Sequence, residues 1–163
     1  FIKIKLLYYK EMSKNLNILV ASMTGTALIV ADEIAEICDS NNIKAKITEM
    51  DNLHYKSIIE QKFPILIISS TYGQGDIPDG SKVFYNNLKV DAPNLDHINF
   101  AVFGLGDMTY KDTFAFGGKK FEQLFLDLNA NKIIESFFHD ASSGTLPEEE
   151  GVNWFTEKLL KVL

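Results

Sequence analysis

The sequence predicts an α/β fold, a doubly wound parallel sheet of five strands with helices on both faces. Three observations carry this. Five short apolar runs alternate with five stretches of helical period, with no repeat and no linker between them. The run at residues 64–69, Pro-Ile-Leu-Ile-Ile-Ser, is apolar almost throughout, as a strand covered on both faces must be. The segments after the first, third and fourth runs are rich in Gly, Ser, Thr, Asp and Tyr and match no regular element. In such sheets ligands bind beyond the C-terminal strand ends, at the switch point, which is where these three segments fall.

The elements follow in order. Residues 18–21 have the length and β-branched content of a buried strand. After a break at residues 22–26, Ala27, Leu28, Ala31, Ile34, Ala35 and Cys38 form one stripe of a helix. Residues 43–50 alternate, with Ile43, Ala45 and Ile47 on one side and Lys44, Lys46 and Thr48 on the other, as in a half-exposed edge strand. Residues 53–60 carry a weak helical pattern, and Val83, Phe84 and Leu88 mark a short helix after the third strand. Residues 99–104 form the fourth strand. Phe121, Leu124, Phe125 and Leu128 give a clean helical stripe, and residues 132–138 are expected to be one continuous fifth strand. Pro147 and three acids open the last helix, at its positive dipole end, with Val152, Phe155, Leu159 and Leu163 as the expected buried face.

Length and composition narrow the function classes. A chain of 163 residues with 46% hydrophobic and 23% charged residues fits one domain with a full core. Its net charge of −6 argues against nucleic acid and suits a partner with a basic face. The single cysteine, Cys38, allows no internal disulfide, and His54, His97 and His139 lack the spacing of metal ligands. In residues 1–10, Lys3 and Lys5 interrupt the apolar residues, no small-residue cleavage site follows, and the stretch is too short to span a membrane. Residues 1–16 are therefore expected to be an extension outside the fold, the domain to occupy residues 17–163, and the protein to be cytoplasmic. Met12 offers a natural start, and residues 1–11 read as upstream of it.

The first of the three loops is an anion cradle in its chemistry. A strand runs into Ser22-Met23-Thr24-Gly25-Thr26 and then into a helix, so backbone N–H groups and the positive end of the dipole face whatever binds there. Ser and Thr are also ordinary helix caps, so this turn alone does not distinguish the two roles. No lysine lies between Lys14 and Lys44 and the chain has no arginine, so a phosphate here is held by neutral donors. Rival motifs fail: there is no Gly-x-x-x-x-Gly-Lys-Ser/Thr, and Gly104-Leu105-Gly106 is followed by Thr109 where the dinucleotide fingerprint needs Gly. Receiver domains need acids after the first strand and an Asp after the third, where this chain has Ser22-Met23-Thr24 and Ser69-Ser70-Thr71. Tyr72 and Tyr110 are large rings on switch-point loops, each able to stack on a flat ligand for about 0.5–1.5 kcal/mol beyond burial. Together these features suit a mononucleotide with an aromatic head.

Here the chain resembles the flavodoxins. Ser22-Met23-Thr24-Gly25-Thr26-Ala27 is similar to their phosphate loop, and Ser70-Thr71-Tyr72-Gly73-Gln74-Gly75-Asp76 and Gly104-Leu105-Gly106-Asp107-Met108-Thr109-Tyr110 to their second and third flavin loops. The likeness is greatest to short-chain flavodoxins of the MioC type and to the flavin mononucleotide (FMN) domains of diflavin reductases, and covers about residues 17–160. It implies sheet order 2-1-3-4-5 and FMN as cofactor. Ser22, Met23, Thr24, Gly25, Thr26 and Ala27 would hold the phosphate, and Tyr72 and Tyr110 flank the ring. Ser70, Thr71 and Gly73, with Leu105, Gly106 and Asp107, would meet the ring edge through backbone. Asp112 and Phe114 fall in a third loop one residue longer than the family pattern, and Asp140 resembles an acidic position near the ring in diflavin domains. Gly73, with Gly75 as the fallback, is where a peptide group can turn toward the flavin, because positive φ is cheap there.

The resemblance implies no catalytic residue and no metal. It implies a carrier of single electrons at low potential, since Asp76, Asp107, Asp112 and Asp140 oppose added negative charge. The partners implied are an NADPH-dependent flavoprotein reductase as donor and a redox metalloenzyme as acceptor. The alternatives are the FMN module of a diflavin reductase and an FMN-dependent quinone reductase. The chain stops where its fifth helical pattern is complete, from which a stand-alone carrier is expected.

Overall fold

The computed structural model describes residues 14–163. The expectation for residues 1–11 lies outside the described residues. The first strand, β1 (Lys14–Ala21), starts earlier than Asn17: residues 14–16 pair with residues 43–45, and Leu16 is buried. The boundary drawn after residue 16 thus falls inside a strand. Lys14, Asn15 and Asn17 carry polar side chains, but the ladder to an edge strand is made by backbone and tolerates them.

The chain continues through α1 (Thr26–Ser40), β2 (Ile43–Glu49), a single turn α2 (Lys56–Ile59), β3 (Ile65–Ser69) and α3 (Lys82–Asp91). Then come β4 (Asn99–Gly106), α4 (Phe116–Asp127), β5 (Asn131–Lys132), β6 (Phe137–Asp140) and α5 (Pro147–Glu157). All pairings between strands are parallel, in the order β2-β1-β3-β4-β5, with β6 also on β4. The expected order is therefore present, with β2 at the edge.

Alternation along the central strand explains the two layers. Ile65 and Ile67 pack on the face covered by α3 and α4, with Phe84, Leu88, Phe121 and Phe125. Leu66 and Ile68 pack on the other face, with Ala27, Val30, Ala31 and Ile34 of α1 and Trp154 and Phe155 of α5. All five residues of β3 are buried, as its composition requires.

Two expectations are corrected. The fifth strand is not continuous: β5 pairs with Asn99 and Phe100, β6 with residues 103–106, and residues 133–136 stand opposite residues 101–102. Two extra residues bulge there. Exposed Glu135 lies in the bulge, and its carbonyl accepts a hydrogen bond from Trp154 Nε1 at 3.3 Å. The buried face of α5 is Gly151, Trp154 and Phe155, with Val152 only half-buried. The helix stops at Glu157 and Leu159 is buried from a short 3-10 turn (Leu159–Lys161). Gly151 lets α5 approach α1, since a Cβ there would lie 2.7 Å from Val30 Cγ1.

Candidate functional site

A cleft of about 610 Å³ opens at the C-terminal ends of the strands. The loops after β1, β3 and β4 all line it, joined by the segment that leads from β6 into α5. This is the switch-point position the sequence pointed to.

Gly25 stands at the head of α1 with φ +92°, a left-handed conformation that a side chain would strain. Its N–H donates to Ser22 Oγ at 3.0 Å, which closes the turn. The first intrahelical bond runs from Ile29 N to Gly25 O, so helix geometry leaves the N–H groups of Thr26, Ala27 and Leu28 facing outward. The hydroxyls of Thr24 and Thr26 lie 3.4 Å apart beside them, and both residues line the cleft. Ala27 itself is fully buried, so only its backbone serves the cradle. No acid occupies the first turn of α1 to oppose an anion. Met23 lines the cleft and its Sδ accepts from Asp79 N at 3.3 Å, tying the cradle to the loop before α3.

In the second loop Tyr72 and Asp76 exchange both backbone bonds, each 2.8 Å, with Gly73 (φ +54°) and Gly75 (φ +86°) inside the turn. Tyr72 is 46% exposed and Tyr110 65%, and both line the cleft. Both rings therefore present apolar faces to solvent beside the cavity. Asp76 is paired with Lys120 at 3.4 Å.

Thr71 ties the loops together through its side chain. Its Oγ1 donates to Leu105 O at 2.9 Å and accepts from Gly117 N at 3.0 Å. Ser70, Leu105, Gly106 and Asp107 also line the cleft. A Cβ on Gly106 would lie 2.5 Å from Ala115 N, so close backbone approach requires glycine there. Asp107 Oδ1 accepts from Thr109 N at 2.8 Å and Thr109 Oγ1 at 2.6 Å, which folds the third loop back toward Tyr110.

Six expected residues lie outside the cleft lining: Ser22, Gly25 and Ala27 of the turn before α1, and Asp112, Phe114 and Asp140. Asp112 is exposed in a short 3-10 turn. Phe114 packs under the Lys119 ammonium, 5.0 Å from its ring, and its carbonyl accepts from Lys119 Nζ at 2.8 Å. Asp140 clamps two loops: Oδ1 accepts from Met108 N (2.9 Å), Ser142 N (2.9 Å) and Ser142 Oγ (2.7 Å). The Met108 N–H first, then Ser142, hold its carboxyl below the usual range. The cleft also contains residues the sequence reading passed over, among them Thr113, Thr145 and His139. His139 is 2% exposed, and its Nδ1 lies 2.6 Å from Glu150 Oε2. Neither ring spacing nor periodicity marks that histidine; it is found only through the partner that α5 brings to it.

Fold and cleft together define a doubly wound α/β protein with a neutral turn at a helix N-terminus and two exposed tyrosines at its switch point. The flavodoxin family pattern matches residues 18–154, and the chain belongs to the flavodoxin family. It is 32% identical to Flavodoxin YqcA of Escherichia coli over 139 residues, 85% of this chain and 92% of that protein. The MioC homolog of Pasteurella multocida is likewise 32% identical, over 148 residues, 91% of this chain and 98% of that one. The NADPH sulfite reductase flavoprotein alpha-component of Buchnera aphidicola (strain APS) is 32% identical over 155 residues, 93% of this chain. The chain spans only 25% of that reductase component's length. Among solved structures, a single-site mutant of flavodoxin from Pseudomonas aeruginosa superposes with a TM-score of 0.77 at 28% identity, covering 88% of this chain and 95% of that one. Membership implies FMN as cofactor and electron transport as the class of function, and the short-chain resemblance stands.

Proposed function

We propose that this chain is an FMN-containing, low-potential carrier of single electrons in the cytoplasm. It would take them from an NADPH-dependent flavoprotein reductase and pass them to a redox metalloenzyme. The observation that carries this is the convergence of a neutral anion cradle and two exposed tyrosines on one cleft. Among the described residues no helix is long and apolar enough to cross a membrane.

The residues present fit the cofactor. Ser22 closes the turn, Gly25 supplies the left-handed backbone, and the α1 N–H groups with Thr24 and Thr26 offer donors for a phosphate monoester. Tyr72 and Tyr110 would cover the ring, exclude water and orient it. Bound FMN supplies the redox chemistry, and the protein sets its electrostatics. Asp107 at the cleft and a net charge of −6 disfavour further negative charge, which lowers the potential.

Calorimetry on the apoprotein tests the assignment. FMN is expected to bind at least about 100-fold tighter than riboflavin, because riboflavin leaves the α1 donors without their anion. Equal affinities would overturn it. The likeness to the Buchnera reductase component favours a second reading, the FMN module of a diflavin reductase. The size of the native protein in its own cells separates the two: a band near 18.4 kDa supports the carrier and a band several times larger the module.

A further inference from the structure

The third loop is tied at its neck by a cation that the electron-carrier reading does not use. The loop leaves β4 at Gly106 and enters α4 at Phe116, and its two ends touch. A Cβ on Gly106 would lie 2.5 Å from Ala115 N and 3.0 Å from Phe114 Cδ2. Ala115 is fully buried with φ +55°, a left-handed conformation that alanine holds only where its surroundings impose it. The Lys119 ammonium lies across this junction. Its Nζ donates to Phe114 O at 2.8 Å and stands 5.0, 5.7 and 5.3 Å from the ring centres of Phe114, Phe116 and Phe138. Those rings come from the loop, from α4 and from β6, so one charge joins three segments.

Helix electrostatics alone would not put a lysine here. Lys119 is the fourth residue of α4, where a cation opposes the positive end of the dipole, and no acid in the first turn offsets it. Among the described residues no carboxylate comes within ion-pair distance of Nζ. A carbonyl and three ring faces hold the charge instead.

The neck reaches the cleft through Tyr110. That ring lines the cleft and makes no hydrogen bond or ring contact among the described residues. Its place is set by the loop backbone, where Tyr110 N donates to Asp107 O and Thr113 N to Tyr110 O, each at 3.0 Å. Gly106 and Asp107, on the β4 side of the neck, line the cleft as well.

We propose that Lys119 is a positioning residue for the cofactor ring: its ammonium closes the neck of the third loop and so holds Tyr110 over the cleft. The inference rests on the FMN reading above and names what presets the ring side of that site.

The test measures FMN and riboflavin binding to the apoprotein in the wild type, Lys119→Met, Lys119→Arg, Tyr110→Ala and the double variant Lys119→Met with Tyr110→Ala. Methionine fills the same space and packs well on rings, so Lys119→Met removes the charge and the donor and keeps the fold. Lys119→Met should weaken FMN and riboflavin alike, by at least about fivefold, because the neck acts on the ring and not on the phosphate. In the Tyr110→Ala background the same change should cost less than about twofold, since the ring it positions is gone. Lys119→Arg, which can both donate and stack, should recover most of the loss. The NMR order parameter of the Tyr110 amide should fall in the Lys119→Met apoprotein. Unchanged affinity in Lys119→Met, an equal loss with and without the Tyr110 ring, a loss confined to FMN, an unmoved order parameter, or no recovery in Lys119→Arg would each overturn the positioning role while leaving the FMN site standing. No FMN binding by the wild type would overturn the FMN reading and this inference with it.

Discussion

Gly73 and Gly75 share a loop and a positive φ, yet the structure gives substitutions there different consequences. A Cβ on Gly73 meets nothing within 4 Å, so Gly73→Ala carries backbone strain alone, about 1–2 kcal/mol. A Cβ on Gly75 would lie 2.9 Å from both Phe116 Cδ2 and Thr113 Cβ, which adds overpacking of about 1–3 kcal/mol. Urea denaturation should therefore rank Gly75→Ala below Gly73→Ala in stability, and equal midpoints would contradict the packing. Both glycines were visible in the sequence as loop residues. Their difference was not, because it depends on side chains about 40 residues further along the chain.

At the level of loops and strands, Asp140 decides how the third loop is held. Its folded-state carboxyl is depressed below the ordinary value of 3.8 by the Met108 and Ser142 donors, so the negative form is the one that stabilises. That contribution is fully present above pH 3.8 and is lost as pH falls through the lower folded value. Asp140→Asn keeps an acceptor but not the charge. The stability difference between the two proteins should be constant near neutrality and shrink toward zero in acid, as followed by thermal melts across pH. A difference that persists unchanged at pH 2 would place the effect elsewhere. The sequence suggested Asp140 as a residue near the ring; the structure shows its carboxylate engaged with backbone and Ser142, outside the cleft lining. The split between β5 and β6 was equally hidden, since Ile133, Ile134 and Phe137 continue an apolar run across the bulge. Periodicity reports which side chains are apolar, and it does not report which backbone groups are paired.

Across the whole molecule, Cys38 reports on global integrity. It is fully buried in the α1 stripe, and burial pushes its thiol up to about 11. A thiol reagent at pH 8 should modify the native protein at the rate of global opening, and at the rate of a free thiol in denaturant. Fast labelling without denaturant would show that α1 detaches from the sheet locally.

Burial on both faces made β3 legible, and a 3.6-residue stripe made α1 and α4 legible, because each pattern follows from local geometry and the need to hide apolar surface. The three loop motifs were legible for a related reason: a tight turn at a helix N-terminus constrains its own residue types. These local signals determined the fold class and the position of the cleft. Tertiary structure alone decided that Thr71 links Leu105 to Gly117, that Asp140 clamps Met108, and that His139 meets Glu150. Each joins groups from different elements, and contacts of that kind leave no period in a sequence.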